Sequence, residues 1–391
     1  MVTIFLGRGE DRRIRGGHPW IFSNEIREIR GEKRPGVAAE IRDSEGSFIG
    51  AGYYNPSSLI AVRMVARRQV DMDTAAFFSE RMATALRYRR ERYPGLESFR
   101  AVYGEGDLLP GLIVDKYGDY LAVQFLTRGI DSRREPVVAA LRQVFDPRGI
   151  IARNDVRVRA LEGLEEKVEI LHGDIPDLVE VEEHGIRFGV DMRQGQKTGH
   201  FFDQKENHLL LETISRGKQV LDCFCYTGSW GIHAAYFGAA SVAFLDSSER
   251  ALARARENAA LNGLTTPMRF EAEDAFERLR ILKAEGKRFD LIILDPPAFV
   301  KSRKNLKEAE KGYLTINRRG LELLTRGGYL VTCSCSYHMG REAFRDILVK
   351  AANLAGKEMR LLDVRTQAHD HPVLLSVPET EYLKCFLLQV M

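Results

Sequence analysis

The sequence predicts an α/β protein whose larger part is a doubly wound, mostly parallel sheet, and two observations support this. From residue 216 onward, short apolar runs typical of strands alternate with segments of helical spacing. Within this region, an apolar run ends in Asp222, breaks at Thr227 and Gly228, and resumes as a predicted helix over 229–237. A buried strand followed by a small-residue turn opens a crevice at the carboxyl edge of a parallel sheet, where such folds hold cofactors.

The composition is that of a globular protein. The chain has 391 residues, of which 44% are hydrophobic and 29% are charged, and this length predicts two or three domains. No apolar run approaches the roughly 20 residues of a membrane span, and the first residues show no signal-peptide pattern, so we expect a cytoplasmic protein without a membrane partner. The five cysteines are an odd count, which argues against a disulfide framework.

Three domains are predicted along the chain. Residues 1–70 contain short alternating runs broken by glycine and proline, which are typical of a small β-barrel. Residues 71–185 begin with a predicted connecting helix over 73–92 and continue as a small α+β unit, and residues 186–391 hold the α/β domain. The first domain carries a net charge of +4, which suits an anionic partner such as RNA, although an ordinary solvated basic surface explains this charge equally well.

Acidic residues stand at the ends of four successive predicted strands of the α/β domain. They are Asp222, Asp246 with Ser247 beside it, Asp274 and Asp295. Asp246 follows Asp222 by 24 residues, close to the spacing that places a carboxylate on a ribose diol. The absence of a GxGxxG turn argues against a dinucleotide. A single acid of this kind is most often a helix N-cap, but the ordered recurrence favours a cofactor site.

This order of acids resembles the Rossmann-like fold of the class I S-adenosylmethionine (SAM) methyltransferases. The resemblance implies that the first loop, which contains Asp222, Tyr226, Thr227 and Gly228, approaches the methionine part of SAM. It further implies that the acid of the second strand, with Ser247 beside it, takes the ribose hydroxyls, and that Asp274 lies near the adenine.

The segment from Asp295 to Phe299, with the sequence Asp-Pro-Pro-Ala-Phe, predicts a site for a planar base. Two prolines fix the backbone where it leaves the strand, so that the acid and the aromatic ring are held rigidly at the cleft. An acid beside an aromatic ring suits a nitrogenous base, which stacks on the ring and bonds to the acid at one edge. Amino-group methyltransferases share this motif, so it does not select the atom that is methylated.

The cysteines of the segment 332–336 favour methylation of a pyrimidine carbon. Carbon-5 of a pyrimidine is a poor nucleophile until a thiolate adds at carbon-6, and cysteine serves such covalent catalysis well. Of the two cysteines, Cys335 is flanked by serines and is our predicted nucleophile, whereas Cys333 belongs to the apolar strand and suits the core. The other Cys-x-Cys pair, Cys223 and Cys225, is interpreted as packing, and its spacing disfavours zinc, so no metal is predicted.

Over nearly its full length, the chain resembles the RlmI-type family of large-subunit ribosomal RNA cytosine-C5 methyltransferases. Segments across the whole chain carry this resemblance. They are 15–22, which looks like the PUA domain of that family, 195–199, 202–204, 222–228, 258–263, 295–299, 334–336, 370–372 and 382–384. The family likeness implies that the loop Gln196, Lys197, Thr198 and Gly199 lies against the cofactor and that Cys335 attacks the base.

The resemblance also implies the partners. We expect 23S ribosomal RNA in an unassembled or partly assembled large subunit, held by the N-terminal barrel, and by the arginine-rich end of the helix over 73–92, mainly through its phosphates. The oligomeric state, monomer or homodimer, stays open. Three alternatives also stay open: an amino-group methyltransferase that uses only the Asp295 loop, a uracil-C5 methyltransferase, and an RNA-binding protein without catalysis.

Overall fold

The computed structural model describes residues 1–299 and 306–391, and the strands of these residues form four sheets. The chain divides into two compact units. The first comprises Met1–Glu182, Val190–Phe202 and His369–Thr380, and the second comprises Glu183–Gly189, Asp203–Ala368 and Glu381–Met391. In the described part of the chain, no helix has the length and apolar character needed to cross a bilayer. The predicted domain boundaries near residues 70 and 185 stay a prediction.

The first unit begins with a six-stranded sheet in the order β2-β6-β5-β4-β1-β3. Its elements are β1 (Val2–Leu6), helix α1 (Asp11–Arg15), β2 (Trp20–Ile21), β3 (Ile26–Arg30), β4 (Val37–Arg42), β5 (Phe48–Tyr54) and β6 (Val62–Ala66). β1 and β4 are parallel, and the other neighbours are antiparallel. Alternate residues such as Ile4, Ile41 and Val62 are fully buried and form the core of this sheet.

A five-stranded sheet in the order β11-β10-β9-β8-β7 follows in the same unit. Its elements are α2 (Ala75–Arg92), β7 (Ser98–Tyr103), β8 (Leu112–Tyr117), β9 (Tyr120–Phe125), α3 (Arg128–Asp131), α4 (Arg134–Phe145), β10 (Gly149–Arg153) and β11 (Val168–Gly173). The Thr74 side chain caps α2 by accepting a hydrogen bond from the amide of Phe77. The helix buries Phe78 and Met82 in the core of this sheet.

One arginine at the arginine-rich end of α2 is buried, Arg89, whereas Arg87, Arg90 and Arg92 are exposed. Arg89 is fully buried, and its guanidinium pairs with the carboxylate of Asp107. The same guanidinium donates to the backbone carbonyls of Arg100 and Asp370, at 2.9 and 2.7 Å. Arg89 therefore holds this unit together and is not available to bind phosphates on the surface.

A two-stranded hairpin follows in the chain, β12 (Val179–Glu183) and β13 (Ile186–Val190). It turns at His184 and Gly185, which both have positive φ angles of 53° and 80°. Glycine adopts this backbone conformation without strain, so Gly185 is well suited to its position in the turn.

The second unit contains a seven-stranded sheet in the order β16-β15-β14-β17-β18-β20-β19. Its strands are β14 (Gln219–Cys223), β15 (Ser241–Asp246), β16 (Met268–Ala272), β17 (Phe289–Leu294), β18 (Leu324–Ser334), β19 (Met359–Arg365) and β20 (Lys384–Val390). Its helices are α5 (Lys205–His208), α6 (Leu211–Ile214), α7 (Ser229–Tyr236), α8 (Glu249–Leu261), α9 (Ala275–Ala284), α10 (Leu306–Leu323) and α11 (Arg341–Ala355).

The direction of these strands confirms a doubly wound, mostly parallel sheet. β14 is parallel to β15 and β17, β15 to β16, and β17 to β18, whereas β20 is antiparallel to both of its neighbours. The strand order changes direction between β14 and β17, and a crevice forms at the carboxyl ends of strands at such a point. The loops that carry the predicted site residues of this unit follow β14, β15, β16, β17 and β18, at that edge.

Candidate active site

The first loop at this edge connects β14 to α7. Asp222 is fully buried near the end of β14, and its Oδ2 accepts a hydrogen bond from the amide of Gly231 in α7 at 2.8 Å. Phe224 and Tyr226 adopt positive φ angles of 63° and 49°, which are uncommon for residues other than glycine. Such a conformation persists only where surrounding contacts hold it, and it is frequent at functional sites.

Asp246, at the end of β15, holds this loop in place. Its Oδ2 accepts from the amide of Tyr226 and its Oδ1 from the amide of Ser248, both at 2.9 Å. Ser247 lies between these contacts and is exposed. The structure therefore brings Asp246 against the loop that follows Asp222. The predicted contacts of these residues with the methionine and ribose parts of the cofactor stay a prediction.

Gly228 and Asn258 complete the loop. A Cβ atom at Gly228 would lie 3.0 Å from the Cβ of Ala255, and the residue has a φ of 88°, so a glycine allows this close approach of the loop to α8 without strain. The Asn258 side chain, buried on α8, donates to the carbonyl of Thr227 at 3.1 Å. Asn258 has no chemistry of its own that would mark it in a sequence, and only the fold reveals its contact with the loop.

Asp274 follows β16 and caps α9, because its Oδ1 accepts from the amide of Glu277 at 2.9 Å. This is the N-cap role that any single acid at a strand end is expected to have. The cap occupies one carboxylate oxygen on an exposed side chain, so it leaves the predicted adenine contact untested.

The residues of this edge fit SAM. Asp222 keeps its second oxygen, Oδ1, without a hydrogen-bond partner among residues 1–299 and 306–391, although this atom is fully buried. Burial raises the pKa of Asp222 well above its usual value, because a carboxylate without a neighbouring cation is costly to desolvate. A positively charged ligand that donates hydrogen bonds relieves both costs, and SAM carries an ammonium and a sulfonium.

Asp295 follows β17 and is held by two donors. The Nε2 of Gln204 and the indole Nε1 of Trp230 each donate to its Oδ2 at 3.0 Å. Burial raises the pKa of Asp295 to about 6, and the charge of Asp203 acts in the same direction. Neither Gln204 nor Trp230 was assigned this role from the sequence, since both contacts join distant segments of the chain.

Trp230 packs against a buried cluster that consists of His208, His233 and Glu183. The ring of His208 meets the indole edge-on, with centroids 4.6 Å apart. The Nδ1 of His208 lies 2.5 Å from a carboxylate oxygen of Glu183, and all three side chains are buried. This packing holds the indole in the orientation that reaches Asp295.

Phe299 lies two residues beyond the prolines and packs on Tyr313 of α10. Their ring centroids are 4.7 Å apart, and the ring centroid of Phe276 lies 5.9 Å from that of Phe299. The Phe299 ring is partly exposed, so part of its surface stays accessible. The predicted role of this ring, stacking on a base, stays a prediction.

The end of β18 is fixed by hydroxyl contacts. The hydroxyl of Tyr313 lies 3.1 Å from that of Ser334 and 3.0 Å from that of Ser336. Between these serines, Cys335 is partly exposed, and its Sγ lies 3.8 Å from the carbonyl oxygen of Pro296. The structure therefore brings Cys335 next to the loop that begins at Asp295.

The neighbouring cysteines are buried. Burial raises the pKa of Cys333 well above its usual value, and Cys333 stands directly opposite Cys385 in the antiparallel pair of β18 and β20. Burial also raises the pKa values of Cys223 and Cys225, and the charge of Asp222 adds to this effect. These three thiols are poor nucleophiles because they resist ionisation.

The loop 196–199 belongs to the first unit. The amide of Gly199 donates to the carbonyl of Gln196 at 2.9 Å, and the hydroxyl of Thr198 donates to Asp115 at 2.6 Å. The ammonium of Lys197 lies 4.7 Å from the ring centroid of Phe201. The predicted contact of this loop with the cofactor stays a prediction.

Comparison with known families assigns the class of the protein. Residues 4–67 match the profile of the PUA-like domain, and residues 87–366 match that of the S-adenosylmethionine-dependent methyltransferases. The second match covers most of the chain. The class is therefore a SAM-dependent methyltransferase with an N-terminal PUA-like domain, and its cofactor is SAM.

Curated relatives define the family more closely. The chain is 39% identical to ribosomal RNA large subunit methyltransferase I of Pseudoalteromonas atlantica, over 100% of this chain and 99% of that one. It is 38% identical to the protein of the same name from Tolumonas auensis, over 98% of each chain, and 36% identical to that from Shigella boydii, over 100% of each. The chain belongs to the ribosomal RNA large subunit methyltransferase I family.

Solved structures confirm the fold. A proposed SAM-dependent methyltransferase from Streptococcus mutans superposes with a TM-score of 0.86 at 22% identity, with 100% of both chains covered. A proposed methyltransferase complexed with SAH superposes with a TM-score of 0.87, also at 22% identity and full coverage. At this identity the similarity supports the architecture of the whole chain.

Proposed function

We propose that this protein transfers a methyl group from SAM to carbon-5 of a cytosine in 23S ribosomal RNA. The observation that carries the choice of carbon-5 is the position of Cys335, a partly exposed cysteine beside the Asp295 loop. The names of the relatives support ribosomal RNA of the large subunit as the substrate, and the PUA-like domain supports RNA binding. We further propose that the protein acts in the cytoplasm, before or during assembly of the subunit.

The cofactor would lie along the edge formed by β14, β15 and β16. Asp222, with its unpartnered buried oxygen, would face the methionine part, together with the loop 226–228. Asp246, with Ser247 beside it, would take the ribose hydroxyls, and Asp274 would lie near the adenine. When bound, SAM supplies an electrophilic methyl group.

The target base would stack against the exposed part of Phe299. Asp295 would face the edge of the base that carries N3 and the exocyclic N4 amine. Because its pKa is about 6, Asp295 is mainly ionised at neutral pH and accepts a hydrogen bond from the amine. The donors Gln204 and Trp230 hold the carboxylate in one orientation for this contact. Reaching this site requires a base that is unpaired or flipped out of a helix.

The cysteine supplies the covalent step. The Cys335 thiolate forms a bond to carbon-6 of the base, and the electron pair of the 5,6 double bond makes carbon-5 nucleophilic towards the methyl group. Carbon-5 would then form a bond to the methyl group as the bond between that methyl group and the donor sulfur breaks, leaving S-adenosylhomocysteine. A base would remove the proton from carbon-5, the double bond would form again, and the bond between carbon-6 and Cys335 would break to release the thiolate. An exocyclic amine is nucleophilic without this help, which is why a suitably placed cysteine favours carbon-5.

Mapping of modified nucleosides tests the proposal. We expect ribosomal RNA from a strain lacking this gene to lose one 5-methylcytidine from 23S RNA, and a plasmid copy of the gene to restore it. Purified protein should restore the methyl group at the same nucleotide in RNA from that strain. A comparison of naked 23S RNA with intact large subunits as substrates reports which assembly state the protein methylates. Loss of a methylated exocyclic amine or of 5-methyluridine instead would assign the reaction to one of the alternative classes.

A further inference from the structure

Lys384 is an unusual buried cation near the proposed nucleophile. It stands at the start of β20, opposite Ser334 in the antiparallel pair with β18, and only 5% of its surface is exposed. Lysine is almost never buried to this extent unless a carboxylate pairs with it. In the described ranges 1–299 and 306–391, no carboxylate lies within ion-pair distance of its ammonium. Some other feature of the site must therefore justify this buried charge.

The ammonium bridges the strand end that carries Cys335. Its Nζ donates to the carbonyls of Ser336 and Tyr382, both at 2.7 Å. The first contact reaches past Cys335 to the residue that follows it. An ammonium has three donors, so one N–H is left after these two contacts.

The electrostatic interaction between Lys384 and Cys335 is reciprocal. Burial lowers the pKa of Lys384 to about 8, while the attraction of Cys335 and of Glu381 acts against this decrease. At neutral pH the side chain is therefore mainly a cation. An attraction that stabilises the ammonium beside a thiolate stabilises that thiolate by the same amount.

Three other described groups act on this strand end, and each of them is neutral or disfavours a thiolate. Tyr313 of α10 interacts with the same sulfur, but burial raises the pKa of this phenol to about 12, so it stays neutral. The charge of Asp295 contributes to the raised pKa of Cys333, two residues before Cys335, because a carboxylate disfavours a thiolate nearby. The carbonyl of Pro296 also faces the Cys335 sulfur and would repel a negative charge. Lys384 thus supplies a positive charge that opposes the effect of Asp295 and of the Pro296 carbonyl on a thiolate.

We propose that Lys384 is a positioning residue that ties down the Cys335–Ser336 segment and stabilises the thiolate form of Cys335. This inference rests on the proposed function, because the thiolate matters for the reaction only if Cys335 is the nucleophile. The ionisation of the Cys335 sulfur can nevertheless be measured without methyl transfer. No proton or bond passes through Lys384 itself in this role, and the carbon–sulfur bond forms and breaks at Cys335.

The rate of Cys335 alkylation by iodoacetamide, followed by peptide mass spectrometry against pH, tests this role in the full-length protein. We expect Lys384→Met to slow alkylation at neutral pH about 10-fold and to move the midpoint of the pH profile upward by about one unit. Lys384→Arg keeps the charge and should stay within about 3-fold of the unchanged protein. An unshifted profile in Lys384→Met would overturn the inference.

Two further variants separate charge from tethering. Lys384→Gln keeps N–H donors without the charge, so it should shift the profile as the methionine variant does, and a normal profile here would contradict a role for the charge. Lys357 is the matched control, because its Nζ donates to the carbonyl of Leu324 at the opposite end of β18, at 3.2 Å. Lys357→Met should leave the alkylation profile unchanged, and an equal shift there would overturn the assignment to Lys384.

The test distinguishes this inference from the proposed function. If Cys335→Ala protein still methylates RNA, the proposed nucleophile is wrong whatever the alkylation profile shows. If Cys335→Ala is inactive but the Lys384 variants alkylate normally, only the role of Lys384 fails. Methyl-transfer rates of Lys384→Met across the same pH range should show the same upward shift as the alkylation profile.

Discussion

The two Cys-x-Cys segments of this protein share a pattern and differ in surroundings. Both stand at the carboxyl ends of strands of one sheet: Cys223 ends β14 and Cys225 follows it, whereas Cys333 lies near the end of β18 and Cys335 follows that strand. In the first segment both thiols are buried, and carboxylates surround them. In the second segment one thiol is buried, while Cys335 is partly exposed beside the cation of Lys384.

This difference shows that spacing alone does not make a reactive cysteine. Asp222 and Asp246 serve the loop of the first segment, and their negative charge raises the pKa of Cys225 further. The same acids that suit a cationic cofactor therefore keep the neighbouring thiols protonated and unreactive. The second segment lies farther along the sheet, beside the loop from Asp295 to Phe299, where a base would be held.

Replacement of Cys335 in the second segment has the largest expected effect on methyl transfer. Cys335→Ala should lower the rate of methyl transfer by at least about 10³-fold, because the covalent route through carbon-6 is lost. SAM affinity, measured by calorimetry, should not change. Cys333→Ala is the matched control and should retain activity within about 10-fold. The reverse outcome, an active Cys335→Ala and an inactive Cys333→Ala, would place the chemistry on the buried sulfur.

Asp246→Ala should have the next largest effect and should act on the first segment. The substitution removes the acceptor for the amides of Tyr226 and Ser248 as well as the proposed ribose contact. Hydrogen bonds to charged groups contribute about 1.5–3 kcal/mol, so we expect SAM affinity to fall about 10- to 100-fold by calorimetry. Asp274→Ala is the comparison variant, and it should mainly remove a helix cap worth about 1 kcal/mol. Equal losses of affinity in both variants would contradict this ranking.

The carboxylate beside the second segment should be visible in the pH dependence of stability. Because the folded-state pKa of Asp295 is about 6, above the ordinary 3.8, the folded state binds this proton more tightly than the unfolded state. The contribution is therefore fully present below about pH 4 and is lost as the pH rises through about 6. Asn at this position does not titrate, so the free energy of unfolding of Asp295→Asn relative to the unchanged protein should rise by about 1–3 kcal/mol from pH 4 to 7. Urea denaturation across this range measures the difference, and a constant difference would show that burial does not raise the pKa.

The sequence predicted the architecture of the second unit because its strands are buried apolar runs. The doubly wound sheet agrees with the alternation of apolar runs and helical segments from residue 216 onward. The edge strand β19 (Met359–Arg365) was not predicted, since its charged residues and half-exposed leucines carry no strong pattern. The start of helix α10 (Leu306–Leu323) is also hard to delimit from the sequence, because its first turns are mostly charged.

The contacts of the candidate site were less predictable than its strand ends. The contact of Gln204 with Asp295 joins residues 91 positions apart, and that of Lys384 with Ser336 joins residues 48 positions apart. No local periodicity encodes such pairs, because they depend on which strands become neighbours in the sheet. A sequence shows which residues stand at strand ends, but it does not show which side chains from other segments reach them.

Cys225→Ala should have the smallest effect and tests whether the first segment is inert. The Cys225 sulfur is buried and makes a weak contact, 3.8 Å from the carbonyl of Tyr226. Its removal deletes one small apolar group from the core, so we expect a loss of about 1 kcal/mol in the free energy of unfolding. The rate of methyl transfer should stay within about two-fold, because no step of the proposed reaction uses this thiol. If Cys225→Ala keeps its stability and SAM affinity but loses turnover, Cys225 takes part in the reaction. A cysteine that serves only in packing cannot produce that combination.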